Sequence, residues 1–361
     1  MTADTLGGVW IYASELIGAL AEHDVRVTLA TMGAPMSPGQ KRAMSRLRGL
    51  NVLESTYALE WMPSAWPDVD AAGDWLLHIA QRVRPDLVHV NGFAHAALPF
   101  GVPVVCAAHS CVFTWHRAVK GRDPGPEWNE YRRRAHEGIT RAAVVVAPTI
   151  ALLRDVFAAY EVTGADGRVI PNGRALPSAR NVEKQPLVFA AGRVWDEAKG
   201  LATLAACAPH VPWPISVAGP TRPPPGIAAP PPPSNVHLLG ELTPDEVAGW
   251  MARASVYALP ARYEPFGLSV LEAAISGCAL ILGDIPSLRE LWEGAATFVP
   301  PGDADSLAHA ISAMTQDPLR LGAWGASARA RSRGMTPTRM GAAYGALYAE
   351  LCAQPGGAVT A

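Results

Sequence analysis

The residues best suited to chemistry lie in one segment, Arg262-Tyr263-Glu264-Pro265-Phe266-Gly267-Leu268-Ser269-Val270-Leu271-Glu272. Pro265 and Gly267 keep Glu264 in a loop, while the pattern from Leu268 to Ser276 is helical. One carboxylate therefore precedes a helix N-terminus and the other stands one turn inside it. The backbone N–H groups of Gly267 and Leu268 would face an anion, and the two carboxylates would accept hydrogen bonds from hydroxyls. A nucleotide sugar has that arrangement of parts. A carboxylate near a helix start also serves as plain compensation of the helix dipole.

A second cluster is Gly192-Arg193-Val194-Trp195-Asp196-Glu197-Ala198-Lys199-Gly200, which follows the apolar run Leu187 to Ala191. Its two cations at a strand's carboxyl end could grip a diphosphate, Arg193 as a planar fork and Lys199 as a point charge. Gly7 and Gly8 form a turn before an amphipathic stretch, where a ligand can approach the backbone and the helix start favours an anion. Two glycines also fit a simple tight turn. His109 follows the run Val102 to Ala107 and begins a polar, aromatic loop from Ser110 to Trp115, from which it could hydrogen-bond a substrate as a neutral imidazole. Cys106, His109, Cys111 and His116 match no common zinc spacing, and alternation along a strand sends neighbouring side chains to opposite faces. Asp68-Val69-Asp70 and Asp303-Ala304-Asp305 could hold a divalent metal, but both precede helical patterns and read more simply as N-caps. Arg132-Arg133-Arg134, with Arg117, Lys120 and Arg122, reads as an exposed helix face, with contact to anionic lipid or a phosphorylated acceptor as the alternative.

The elements that must position these residues alternate along the chain. Strand candidates are Val25 to Ala30, Leu87 to Val90, Val102 to Ala107 and Val144 to Ala147, then Leu187 to Ala191, Ile215 to Ala218, Val236 to Leu238, Val256 to Leu259 and Ala279 to Leu282. Helical patterns cover Val9 to Ala21, Asp70 to Val83, Trp128 to Thr140, Ile150 to Tyr160, Pro244 to Ala254, Leu268 to Ser276 and Ala304 to Met314. The alternation predicts an α/β fold with parallel sheets. The polar, turn-rich stretch Pro171 to Pro186 marks a boundary between domains at 1–171 and 172–335, followed by a closing helix and tail at 336–361. Only three residues precede Asp4, so the first strand is either short or begins upstream.

Composition narrows the function classes. The chain has 361 residues, enough for about two domains. Charged residues make up 17%, hydrophobic residues 49%, and the net charge is −2, which disfavours disorder and nucleic-acid binding. The 33 glycines and 33 prolines follow no G-X-Y period. Their dense patch from Pro220 to Pro233 reads as a surface insertion. Five cysteines without C-x-x-C spacing fit a reducing cytosol. No apolar run reaches membrane-spanning length and no signal peptide opens the chain, so the expected location is cytoplasmic, with peripheral contact to the inner membrane face as an open alternative.

Taken together, Gly7-Gly8, His109, Pro171-Asn172-Gly173, Arg193 with Lys199, and Glu264 with Glu272 resemble the family 4 glycosyltransferases, retaining enzymes of the GT-B fold. The E-x-P-F-G-L-x-x-x-E block is the most specific of these motifs. The resemblance implies two Rossmann-like domains facing across a cleft, with a UDP- or GDP-sugar held mainly by the second. It implies that Arg193 and Lys199 neutralise the diphosphate, assisted by the amides of Gly267 and Leu268 and the turn at Gly8, and that Gly7 and Asn172 also belong to the donor site. It implies that Glu272 accepts from the ribose, Glu264 from the sugar, and that His109 contacts the sugar near the transferred carbon. Neither a metal nor another cofactor is expected; the nucleotide sugar is the donor substrate. Trp10, Trp61, Trp66, Trp75, Trp115 and Trp128 fall in the acceptor-side domain and suit a sugar, lipid or small-metabolite acceptor. The alternatives are a catalytically impaired nucleotide-sugar-binding subunit and an epimerase or phosphorylase of the same shape. Many relatives carry an acidic residue soon after Pro-Asn-Gly, where this chain has Arg174-Ala175.

Overall fold

The computed structural model describes residues 1–176, 182–223 and 235–353. The chain divides into two compact units, one of Met1–Arg117, Arg122–Gly173 and Thr336–Ala361, the other of Ala118–Gly121 and Arg174–Met335. From residue 224 on, the proline-rich stretch lies outside the described residues, as do 177–181 of the boundary stretch. Proline nevertheless has a visible use: the helices Pro38–Met44, Pro244–Arg253, Pro286–Trp292, Pro318–Ser332 and Pro337–Ala353 all open on it. There its missing N–H would have had no intrahelical partner anyway.

Among the described residues the first unit holds seven parallel strands: β1 (Thr2–Asp4), β2 (Val27–Met32), β3 (Leu50–Glu54), β4 (Val88–Val90), β5 (Val104–Ala107), β6 (Val144–Ala147) and β7 (Gly167–Val169). They pair in the orders β1-β2-β3 and β4-β5-β6-β7. The expected α/β class with parallel sheets is what forms. β5 and β6 are continuous apolar runs because both their faces are covered. No backbone ladder joins β1 to β4 among the described residues. Instead Asn91, just past β4, donates its backbone N–H to Thr2 Oγ1 (2.9 Å) and its side-chain Nδ2 to the Thr2 carbonyl (2.6 Å).

The second unit holds β8 (Gln185–Ala191), β9 (Ile215–Ala218), β10 (His237–Gly240), β11 (Ala254–Leu259), β12 (Ala279–Gly283) and β13 (Thr297–Val299), all parallel, in the order β10-β9-β8-β11-β12-β13. Strand order reverses between β8 and β11. In an open α/β sheet the crevice beyond the carboxyl ends at such a reversal is where ligands bind.

Several local expectations need correction. β3, β7 and β13 went unread because they are short edge strands with half-exposed side chains and lack a buried apolar run. Ser110 to Trp115 is not a loop throughout, since a helix runs over Val112–Lys120 with a strongly one-sided apolar pattern. Asp68 and Asp70 lie inside the helix Trp66–Val83 rather than before it. Asp68 accepts from the Ala58 N–H, and Asp70 pairs with Arg134. Asp303 is an N-cap, accepting from Ser306 N. No helix among the described residues is long and apolar enough to cross a membrane.

The helix Pro337–Ala353 packs on the first unit. Met340, Tyr344, Leu347, Tyr348 and Leu351 enter one core with Tyr12, Leu16, Leu20 and Leu29. Burying each such side chain contributes roughly 1.5–3 kcal/mol. Gly341 lets this helix approach Gly8–Leu20 closely, for a Cβ there would stand 2.5 Å from Ala19 Cβ. Gly345, one turn on, has room, its nearest neighbour being His23 at 3.8 Å. Gly341→Ala should therefore lower the melting temperature, whereas Gly345→Ala should raise it, the helix gaining roughly 0.5–1 kcal/mol. Thermal melts of the two variants check this; equal shifts would show that helix propensity, not close packing, governs the contact.

Candidate functional site

In the second unit the candidate residues sit on the loops that leave β8 and β11, on either side of the strand-order reversal. The β8 loop turns at Asp196, whose buried carboxylate accepts from Ala198 N (3.0 Å) and from Arg193 (2.8 Å). Arg193 is half exposed, with its guanidinium carbon 5.2 Å from the centre of the Trp195 ring. Asp196 and Trp195 together hold the cation in place without burying it.

The β11 loop is fastened to the β8 loop. Arg262 N donates to Ala198 O (2.8 Å), and Gly200, with φ +71°, brings its backbone so close that a Cβ would lie 2.2 Å from Pro260 O. Only glycine meets both requirements. This contact sets Lys199 beside Glu264, Nζ to Oε2 at 2.8 Å, with side-chain exposures of 14% and 13%. The other oxygen of Glu264 accepts from Gly267 N (2.9 Å), at the start of the helix Leu268–Ile275. Gly267 has φ +85°, which favours glycine here too. Ser287 donates to the Glu264 carbonyl. Buried Tyr257 places its hydroxyl 3.1 Å from Ala191 O and 2.8 Å from Ser269 Oγ, tying the end of β8 to the same helix start.

One expectation changes at this point, and one further partner appears. The Gly267 N–H does not face outward to an anion, because the loop folds back and Glu264 caps it. Glu272 does not stand alone either: its Oε1 accepts from Arg174 Nε at 2.6 Å, and both side chains are largely buried. The segment after Pro-Asn-Gly thus sends a cation, not an acid, to the helix carboxylate.

In the first unit, Gly7 (φ +79°) and Gly8 make an exposed turn into the helix Gly8–Leu20, with open space where a Gly7 side chain would be. His109 stands just past β5, its Nε2 2.8 Å from Asn91 Oδ1 and its ring edge-on to Tyr12, centroids 4.5 Å apart. Burial pushes its pKa down to about 4, so the imidazole is neutral near pH 7. Behind it, Tyr12 Oη lies 3.4 Å from His89 Nε2, and Tyr348 Oη lies 2.6 Å from His89 Nδ1. Asn172 is buried. Its neighbour Gly173 passes so near Thr336 that a Cβ would meet the Thr336 backbone at 2.3 Å, which accounts for the glycine.

The structure therefore gathers Arg193, Lys199, Glu264, Gly267 and Leu268 on two joined loops, with Glu272 one turn along the helix; Gly7, Gly8, His109 and Asn172 belong to the other unit. The Cys106 and Cys111 thiols bond to Gly92 O and to Thr114, and no group of three metal-ligating side chains occurs among the described residues. The arginine cluster is largely paired with carboxylates: Arg132 with Glu161, Arg133 with Glu130 and Glu137, Arg134 with Glu130 and Asp70, and Arg117 with Asp123. Sequence reasoning missed Asn91, Arg174, Asp196 and Tyr257. Asn91 was within reach, since it follows a strand by the same logic that singled out His109.

Two family models match, one described as Glycosyltransferase Family 4 over residues 6–176 and one as Glycosyl transferases group 1 over residues 185–317. A glycogen synthase of Mycobacterium tuberculosis is 37% identical over 84 residues, 23% of this chain and 20% of that protein. A GDP-mannose-dependent phosphatidylinositol monomannoside mannosyltransferase of Corynebacterium glutamicum is 34% identical over 104 residues, 27% of each chain. The matched stretch thus spans only a fifth to about a quarter of these relatives' length. Among solved structures, a sucrose-phosphate synthase from Thermosynechococcus elongatus superposes with TM-score 0.78 at 19% identity, covering 98% of this chain and 96% of that one. Anabaena HepE in complex with UDP-glucose gives TM-score 0.72 at 16% identity, covering 97% and 100%. These likenesses establish the GT-B fold.

The buried ion pair generates a test. Lys199→Met leaves Glu264 as an unpaired, largely buried carboxylate and should cost about 3 kcal/mol in urea unfolding. Adding Glu264→Gln, which still accepts from Gly267 N, should restore most of that loss. A double variant no more stable than the single one would show that the pair does not hold the loops.

Proposed function

We propose a reaction for a chain that belongs to the family 4 glycosyltransferases: it moves a hexosyl group from a UDP- or GDP-sugar to a hydroxyl acceptor, with retention of configuration and without a metal. The observation that carries this reading is the pair of joined loops at the strand-order reversal, where two cations and a helix N-terminus stand together beside two carboxylates. The corynebacterial relative is GDP-mannose-dependent, and Anabaena HepE was solved with UDP-glucose, so both bases stay in the proposal. The acceptor is a sugar, a lipid or a small metabolite.

The chemistry asked of the protein is electrostatic. As the sugar–oxygen bond breaks, negative charge grows on the diphosphate and positive charge on the sugar ring. Arg193, held through one terminal guanidinium nitrogen by Asp196 but half open to solvent, meets the diphosphate with the rest of its planar fork. Lys199 has three N–H donors and commits one to Glu264, so others remain for phosphate oxygens. The helix beginning at Leu268 adds its N-terminal dipole. Because these groups are positioned before the donor arrives, little reorganisation is needed as charge develops. Glu264, fixed by Lys199 and Gly267, accepts from sugar hydroxyls, and Glu272 accepts from the ribose. Attack on the same face by the acceptor hydroxyl, whose proton passes to the departing diphosphate oxygen, forms the new glycosidic bond and retains configuration. The intact set of four charged groups favours turnover over a binding-only role.

A panel of UDP- and GDP-sugars, read by thermal shift and by donor hydrolysis with and without EDTA, tests the donor and the metal. One donor should stabilise the protein and be hydrolysed equally in both conditions. Stabilisation by none, or activity abolished by EDTA, would overturn the reading, as would a product of inverted anomeric configuration by proton NMR. Arg193→Ala should lower kcat/KM by roughly 100-fold or more with an unchanged circular dichroism spectrum. Unchanged turnover would remove Arg193 from the site.

A further inference from the structure

We propose that Asn91 is a positioning residue which fixes His109 in one tautomer, so that the imidazole offers substrate a lone pair at Nδ1 and reads a hydroxyl rather than a phosphate. This rests on the reading of His109 as a donor-sugar contact, but its structural basis is independent of any reaction.

The hydrogen bonds leave one assignment. Asn91 faces Thr2 on one side and His109 on the other. The Thr2 carbonyl only accepts, so the group 2.6 Å from it must be the amide nitrogen of Asn91. The amide oxygen is then the atom that faces His109, and it too only accepts. The ring nitrogen 2.8 Å away, Nε2, must carry the proton. In a neutral imidazole the other nitrogen is then bare. No protein group among the described residues bonds to His109 Nδ1. The backbone N–H of Asn91, donated to Thr2 Oγ1 at 2.9 Å, anchors the same residue a second time, and turning the amide over would set its oxygen against the Thr2 carbonyl.

The chemical consequence is selectivity of sign. A lone pair attracts an O–H or N–H and repels the oxygens of a phosphate, which have only lone pairs to present. His109 in this tautomer therefore engages a hydroxyl-bearing group, as on a sugar ring, and not a diphosphate. It also has no proton at Nδ1 to give to a leaving group. Tyr12, edge-on to the ring at 4.5 Å, keeps the imidazole from swinging aside.

The test is a nitrogen-15 imidazole correlation spectrum of the full chain at neutral pH, with the His109 signals identified by their loss in His109→Gln. The wild-type protein should show a protonated Nε2 and a bare Nδ1. Asn91→Leu should give a mixture of tautomers and lower kcat/KM for donor hydrolysis by roughly tenfold, the size of one ordinary hydrogen bond. A protonated Nδ1 in the wild type, or an unmixed Nε2 tautomer in Asn91→Leu, would overturn the proposal. Should Asn91→Leu not fold, the wild-type spectrum still decides. The spectrum is read without substrate, so the expected tautomer combined with absence of turnover on every donor would sink the glycosyl-transfer reading and leave the role of Asn91 standing.

Discussion

The ion pair between Lys199 and Glu264 is the constraint around which the second unit is arranged. Two charges that are each about seven-eighths buried lose much of their hydration, and their mutual attraction offsets that only when the remaining lone pairs and protons also find partners. Glu264 meets the requirement by spanning Lys199 and Gly267 N, and its own carbonyl takes the Ser287 hydroxyl. That geometry exists only because the β8 and β11 loops touch through Gly200 and Ala198. The cation, the carboxylate and the helix start are thus a single rigid object, and each is correctly placed only if the other two are.

The two units solve the same problem by different means. In the second unit the strand order reverses between β8 and β11, while in the first β1 and β4 are end strands of two separate sheets. In the second unit a backbone ladder joins the two central strands and frees the side chains beyond for charge. In the first, a side chain does the joining: Asn91 links the end of β4 to Thr2 of β1, and its remaining oxygen is spent on His109.

What could be read from the sequence follows from locality. Val144 to Ala147 and Ala279 to Leu282 are legible because strands buried on both faces are unbroken apolar runs, while β3 and β13 have no such signature at a sheet edge. The spacing of Glu264 and Glu272 on either side of a helix start is likewise local, and the structure places both there. Their partners are not local. Arg174 reaches Glu272 across 98 positions, and nothing in the types of neighbouring residues announces that pairing. The capping of Gly267 by Glu264 was hidden for another reason: a loop's return path depends on the close approach at Gly200, which lies in a different segment.

The seat of the helix Pro337–Ala353 bears on how the chain is made. Residues Arg174–Met335 of the second unit are contiguous and can collapse as soon as they leave the ribosome. The first unit cannot finish so early, because part of its core, Met340, Tyr344, Leu347, Tyr348 and Leu351, is synthesised after the whole of the second. The bond from His89 to Tyr348 closes across 259 positions. Until then the apolar face of Gly8–Leu20 waits uncovered, and a nascent chain of this protein is most exposed to aggregation in the part it makes first.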